Sequence, residues 1–222
     1  MDGTGGLFRW LIDALPRHYT CVPVSYDPKR PLRYDDLVAQ VGTRLQASGE
    51  PALLVAESFS GPIAIQLAAK PPRQLRGLVL AASFARSPIA SWLRPVVGPW
   101  LFSIPPPEWA VRRYIVGPEA PPELVDATMM SIRSVNARVM AQRLRDILAV
   151  DVLDDLQRAR VPVRYMLADS DRLVGHERAY AGLVGPADAL ELPAPHAILQ
   201  RCPVEAARFI DEFARVVETT AQ

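Results

Sequence analysis

The stretch that decides the fold is Leu53-Leu54-Val55-Ala56-Glu57-Ser58-Phe59-Ser60-Gly61-Pro62-Ile63-Ala64. An apolar run leads straight into Ser58, and a run suited to a helix begins directly after it. A strand that ends in a tight turn on a serine lifts the hydroxyl above the sheet edge. It also aims the backbone N–H of the next residue, Phe59, and the N-terminus of the following helix at the space beside that hydroxyl. Such a turn has room only for small residues two before and two after the serine, here Ala56 and Ser60. The usual pattern has glycine at both positions, so the match is a weaker one. The alternative is a serine-rich cap on a buried helix, with Ser60 as the competing hydroxyl.

Working outward, the chain alternates between helical and strand-like runs. Helical spacing of apolar residues covers 7–15, 32–47 (Leu37, Val38, Val41, Leu45), 61–69, 180–184 and 204–217. Strand-like runs cover 18–25, 52–56, 75–82, 161–167 and 189–192. Strands alternating with helices imply crossover connections and a mostly parallel sheet, an α/β fold. Residues 86–150 break the pattern. They are rich in Pro, Trp and Arg and carry no strand signal, which predicts a helical cap inserted into a core made of residues 1–85 and 151–222.

Composition narrows the function classes. Half of the 222 residues are hydrophobic, 22% are charged, and the net charge is +1. That balance does not point to nucleic acid or an anionic membrane as partner. No run of about 18 apolar residues is present to span a bilayer, and the first residues do not read as a signal peptide. A cytoplasmic location is the expectation. Two isolated cysteines, Cys21 and Cys202, make neither a disulfide framework nor a metal site, and read as small buried hydrophobes.

A serine nucleophile needs a base, and the base needs a carboxylate to orient it. Of the three histidines, His18 precedes an early strand and His176 opens a helix. His196 follows the final strand and precedes the final helix, a loop position where open α/β sheets place functional groups. Asp171 lies just past the strand at 161–167, with Asp169 as the rival acid. The order Ser58, Asp171, His196 is that of one known class of serine hydrolases.

At these residues the chain resembles the α/β-hydrolase superfamily, and is similar to bacterial lipase/esterase-like members that include pimeloyl-carrier-protein methyl ester esterases. Four stretches carry the resemblance: Asp2–Phe8, Ala56–Gly61, Asp169–Val174 and Pro195–Gln200. It implies the α/β-hydrolase fold, with Ser58 as nucleophile, Asp171 (followed closely by Leu173-Val174) as acid and His196 as base. It implies an oxyanion hole from the backbone of Phe59 and Met1, and no metal or organic cofactor. It also implies a core strand ahead of the Asp2-Gly3-Thr4-Gly5 stretch, lying between the runs at 18–25 and 52–56. Our expectation is that this first core strand is missing because translation starts upstream of Met1.

The 86–150 insertion would form a lid, with Trp100, Trp109 and Met130 lining a site for an apolar acyl group. Arg94, Arg112 and Arg113 could meet an anionic substrate or an acyl carrier protein. The expected activity is hydrolysis of a small-molecule carboxylic ester or thioester. Two alternatives stay open: an acyltransferase, thioesterase or cofactor-free lyase using the same residues, and a non-catalytic hydrolase-like binding protein.

Overall fold

The computed structural model describes residues 1–174 and 188–220. The helix expected at 180–184, with His176 ahead of it, lies outside the described residues. Among the described residues four strands form one parallel sheet in the order β1 (Ala52–Glu57), β2 (Leu75–Ala81), β3 (Val163–Ala168) and β4 (Ala189–Leu192). Spatial order follows chain order, so each connection moves one strand further across the sheet. The register places Glu57 beside Ala81, Ala81 beside Met166, and Ala168 beside Leu192. The C-terminal ends therefore line up, and the segments that follow β1, β3 and β4 open on one edge.

Helices cover the sheet. α1 (Arg9–Ala14) and α9 (Pro203–Thr220) pack on one face, while α2 (Tyr34–Ser48), α3 (Gly61–Ala69) and α7 (Leu153–Gln157) pack on the other. Helical spacing explains the burial: Ala206, Ile210, Phe213 and Val217 of α9 are all buried and fall on one stripe of the helix. α2 begins where the Asp36 carboxylate accepts the N–H of Arg33 at 3.0 Å. α3 is apolar apart from Gln66 and is buried accordingly, Ile63, Ile65, Leu67 and Ala68 included.

Between β2 and β3 the chain is helical, with α4 (Glu108–Val111), a π-turn over Arg112–Val116, α5 (Pro122–Arg133) and α6 (Ala137–Ala149) as its longer pieces. Arg86 bridges to Asp151 at the neck of this block, with Nε 3.1 Å from the carboxylate.

One expectation is corrected. Residues 18–25 are extended in sequence character but form no strand. A strand exists only through its ladder of hydrogen bonds, and this run faces a gap instead. A cavity of about 980 Å³ lies between it and β1, lined by Cys21, Val22, Val24, Leu53 and Val55 among others. The gap falls where the resemblance places a further strand. The run is held by other means: Tyr26 N–H donates to Gly3 O at 2.7 Å, and Gln40 Nε2 donates to Ser25 O at 3.0 Å.

Candidate active site

Ser58 sits at the end of β1 with φ +53°, a left-handed conformation that a residue with a side chain rarely adopts. Its surroundings enforce that turn. Ser58–Ser60 forms a single tight turn leading directly into α3. The Ser83 hydroxyl, fully buried beneath, donates to Ser58 O at 2.9 Å. Gly61 is the residue that makes room, because a Cβ there would collide with the Ser83 side chain. Ala56 and Ser60 stand at the two small positions. Ser60 is engaged with Tyr26, their oxygens 3.3 Å apart.

Asp171 and His196 arrive from the neighbouring strand ends. His196 Nδ1 lies 2.8 Å from Asp171 Oδ2, and its Nε2 lies 2.7 Å from Ser58 Oγ. An ionised carboxylate can only accept, so the imidazole proton sits on Nδ1. Nε2 is then left to accept from the serine hydroxyl. The other Asp171 oxygen accepts the N–H groups of Leu173 and Val174 at 2.8 and 3.1 Å. Those N–H groups follow directly from the Asp-Arg-Leu-Val turn. Burial pushes the Asp171 carboxyl up, but the hydrogen bond and charge of His196 with the two N–H groups outweigh it, leaving it below the usual carboxylate range. The imidazole and carboxylate are nearly closed off, with side-chain exposures of 10% and 4%. The rival acid, Asp169, accepts from the Ser170 hydroxyl at 2.7 Å, a local turn contact.

The loop bearing His196 is pinned on both sides. Ala197 N–H donates to Ile115 O of the helical block at 2.9 Å, and Ser170 N–H donates to Ala194 O at 3.1 Å. Val111, Val116, Leu124 and Ala197 share one apolar cluster, so the helical block rests directly on this loop.

Met1 packs against the core cluster that contains Phe59. Its carbonyl and that of Asp2 accept from Arg143 Nη1 at 2.8 and 2.6 Å, and Nη2 reaches Asp27 O at 3.2 Å. Arg143, on α6, is almost fully buried, and nothing in its sequence setting marked it. Gly3 leaves space for it: with φ +62°, a Cβ there would press on Tyr26 and Arg143.

Other sequence candidates stand apart. Trp100, Trp109 and Met130 are turned outward, 68%, 67% and 69% exposed. Met130 borders a small hollow with Pro105, Pro106, Pro107 and Arg133. Arg112 is bound to Glu108 at 2.7 Å and to Ala120 O at 2.9 Å. The main cavity beside β1 does not include Ser58, Asp171 or His196 in its lining. Among the described residues no group of histidines, cysteines and carboxylates could hold a metal ion. No described helix is long and apolar enough to cross a membrane.

The comparisons with known proteins agree with this architecture. The alpha/beta hydrolase family matches residues 3–209, and the chain belongs to that family. Solved structures share the fold at low identity. A hydrolase from Pseudomonas aeruginosa superposes with TM-score 0.71 at 20% identity, covering 86% of this chain and 75% of its own. A hydrolase from Oleispira antarctica reaches TM-score 0.78 at 10% identity, covering 97% and 88%. An enol-lactonase from Burkholderia xenovorans reaches 0.74 at 16% identity, covering 96% and 88%. No curated protein matches the chain.

Proposed function

We propose that the chain is a serine hydrolase that cleaves a carboxylic ester with a small or medium apolar acyl group. The observation that carries the reading is the Ser58–His196–Asp171 relay, with both links under 3 Å. His196 Nε2 takes the hydroxyl proton as Ser58 Oγ bonds to the ester carbonyl carbon. The same proton then goes to the departing alcohol, leaving an acyl-serine. Water repeats the sequence: it loses a proton to His196 and attacks the acyl carbon, and Ser58 leaves with that proton. Asp171 holds the imidazole in the required tautomer and balances its transient charge. The N–H of Phe59, next to the nucleophile, and the nitrogen of Met1 are the candidate donors to the oxyanion.

The helical block, residues 86–150, rests on the His196 loop and would act as a lid over Ser58. Trp100, Trp109 and Met130 lie exposed on it, so they would contact an apolar acyl group only by folding inward over Ser58. The test uses a fluorophosphonate probe together with p-nitrophenyl acetate, butyrate and octanoate. We expect labelling and turnover in the wild-type chain and neither in Ser58→Ala. A Ser58→Ala protein that still labels would overturn the assignment. An acyl-thioester panel run in parallel separates an esterase from a thioesterase.

A further inference from the structure

Glu57, immediately before Ser58, is a carboxylate shielded from water that the proposed reaction does not use. It is held from two directions by the segment that follows His196. Leu199 N–H donates to its Oε1 at 3.3 Å, and Gln200 Nε2 donates to its Oε2 at 3.0 Å. Gln200 Nε2 also lies 3.4 Å from Leu7 O, so one amide joins the elbow, the histidine segment and the start of the chain. Leu199 and Gln200 are buried, in the short helix α8 (Ile198–Arg201) that begins two residues past His196. A surface salt bridge in such a place would mean little. Here one backbone N–H and one buried side-chain amide close on a carboxylate away from bulk water, where the geometry is worth more.

The loop of His196 is pinned to the helical block (Ala197 N–H to Ile115 O) and to the acid loop (Ser170 N–H to Ala194 O). Neither contact ties it to the nucleophile turn, and the two ring contacts of His196 are to side chains. The Ser58–Nε2 distance is set by how the 196–200 segment is seated relative to the elbow. Glu57 is rigidly part of that elbow, being the last residue of β1. We propose that Glu57 is a positioning residue, a latch that fixes the histidine segment to the nucleophile turn through Leu199 and Gln200. The inference rests on the Ser58–His196–Asp171 reading.

A latch made of hydrogen bonds can be rebuilt without the charge. The Oε1 atom of Gln200 is buried with no partner. In Glu57→Gln, the new carbonyl accepts from Leu199 N–H. The new amide donates to Gln200 Oε1 once the Gln200 amide turns over.

The experiment compares wild type, Glu57→Ala, Glu57→Gln, Gln200→Met and Ser58→Ala on p-nitrophenyl butyrate, with fluorophosphonate labelling as a second readout. Misplacing a catalytic base by about 1 Å costs on the order of 10²-fold. We expect Glu57→Ala to lose about that much in kcat with KM within about threefold, and to label slowly. Glu57→Gln should return to within about threefold of wild type. Gln200→Met, which keeps the carboxylate and removes one donor, should fall between and guards against a Glu57→Ala protein that fails to fold. Glu57→Ala turning over at the wild-type rate, or Glu57→Gln as slow as Glu57→Ala, overturns the latch. Ser58→Ala separates the two failures: labelling that survives there sinks the triad reading itself, whereas labelling lost there with Glu57→Ala unaffected sinks only the latch.

Discussion

The sheet has two unlike flanks. On one, β2 is enclosed by β1 and β3, and its residues Leu78 through Ala81 are fully buried, Val79 and Ala81 on the α9 face and Leu78 and Leu80 on the α2 and α3 face. On the other, β1 carries equally apolar residues, yet Ala52 through Val55 are only partly buried and the strand borders a cavity of about 980 Å³. Residue type is the same on both flanks, so it does not account for the difference. What differs is pairing. β2 has strands on both sides, while β1 has β2 on one side and open space on the other. Apolar sequence sets what can be buried, and neighbours determine what is. The candidate triad draws on three strands: Ser58 ends the strand that borders the cavity, while Asp171 and His196 follow β3 and β4 on the far side of β2.

The sharpest test of the packed flank is chemical. Asp171→Asn keeps the shape of the acid but presents the wrong hydrogen-bonding partner to Nδ1. We expect kcat on p-nitrophenyl esters to fall by about 10⁴-fold, as when a triad carboxylate is made neutral elsewhere, with the melting temperature at neutral pH below wild type because the ionised carboxylate is gone. The same residue sets an acid dependence. Its carboxyl lies below the usual range when folded, so its contribution to stability is present above the unfolded value of about 4 and is lost as pH falls through the folded value. Melting temperature measured from pH 6 to pH 2 should drop less steeply in Asp171→Asn than in wild type. Equal slopes would mean that Asp171 is not held as an ion.

Next in size is packing. Phe213 of α9 is 2% exposed and lies against the gap that Gly77 leaves in β2. Phe213→Ala should cost about 3–5 kcal/mol by urea denaturation. Leu53→Ala, on the strand bordering the cavity, should cost well under half of that. Comparable losses at the two sites would erase the contrast between the flanks.

The loosely packed flank is held by polar contacts where strand pairing is lacking. Arg143 reaches across from α6 to three carbonyls, of Met1, Asp2 and Asp27. Arg143→Met keeps the buried volume and removes the donors, and we expect a loss of about 1–3 kcal/mol. Limited proteolysis should then cut sooner in the first 25 residues than elsewhere. Cleavage unchanged there would show that the segment is anchored by something else.

How much of this was legible in the sequence follows the same division. The elbow, the parallel sheet, the acid loop and the histidine loop were readable because each rests on local signals: an apolar run, a small residue, a turn, a chain order. The histidine was selected by the position of His196 after the last strand, and the acid by the Leu173-Val174 pair, whose N–H groups do bind the Asp171 carboxylate. The 18–25 run was misread because a strand is a property of two segments, and Val22 and Val24 look the same whether or not a partner lies beside them. Arg143, Glu57 and Ser83 were invisible for a related reason. Each matters through contacts with residues 25 or more positions away, and no spacing rule reaches that far.

The smallest expected effect isolates the comparison most cleanly. Val55 and Val79 are partners in register on adjacent strands, one bordering the cavity and one fully buried. Threonine replaces valine with almost no change in volume or strand propensity and adds one hydroxyl. At Val79 that hydroxyl meets only apolar neighbours and goes unpaired, which costs about 1–3 kcal/mol. At Val55 it can turn toward the cavity, where water can hydrogen-bond to it, and the cost should stay below about 1 kcal/mol. The two single variants differ by a single position across the ladder, so denatured-state and propensity effects largely cancel in their difference. If Val55→Thr destabilised as much as Val79→Thr in urea titrations, the cavity beside β1 would have to be dry and closed, and the two flanks would be packed alike.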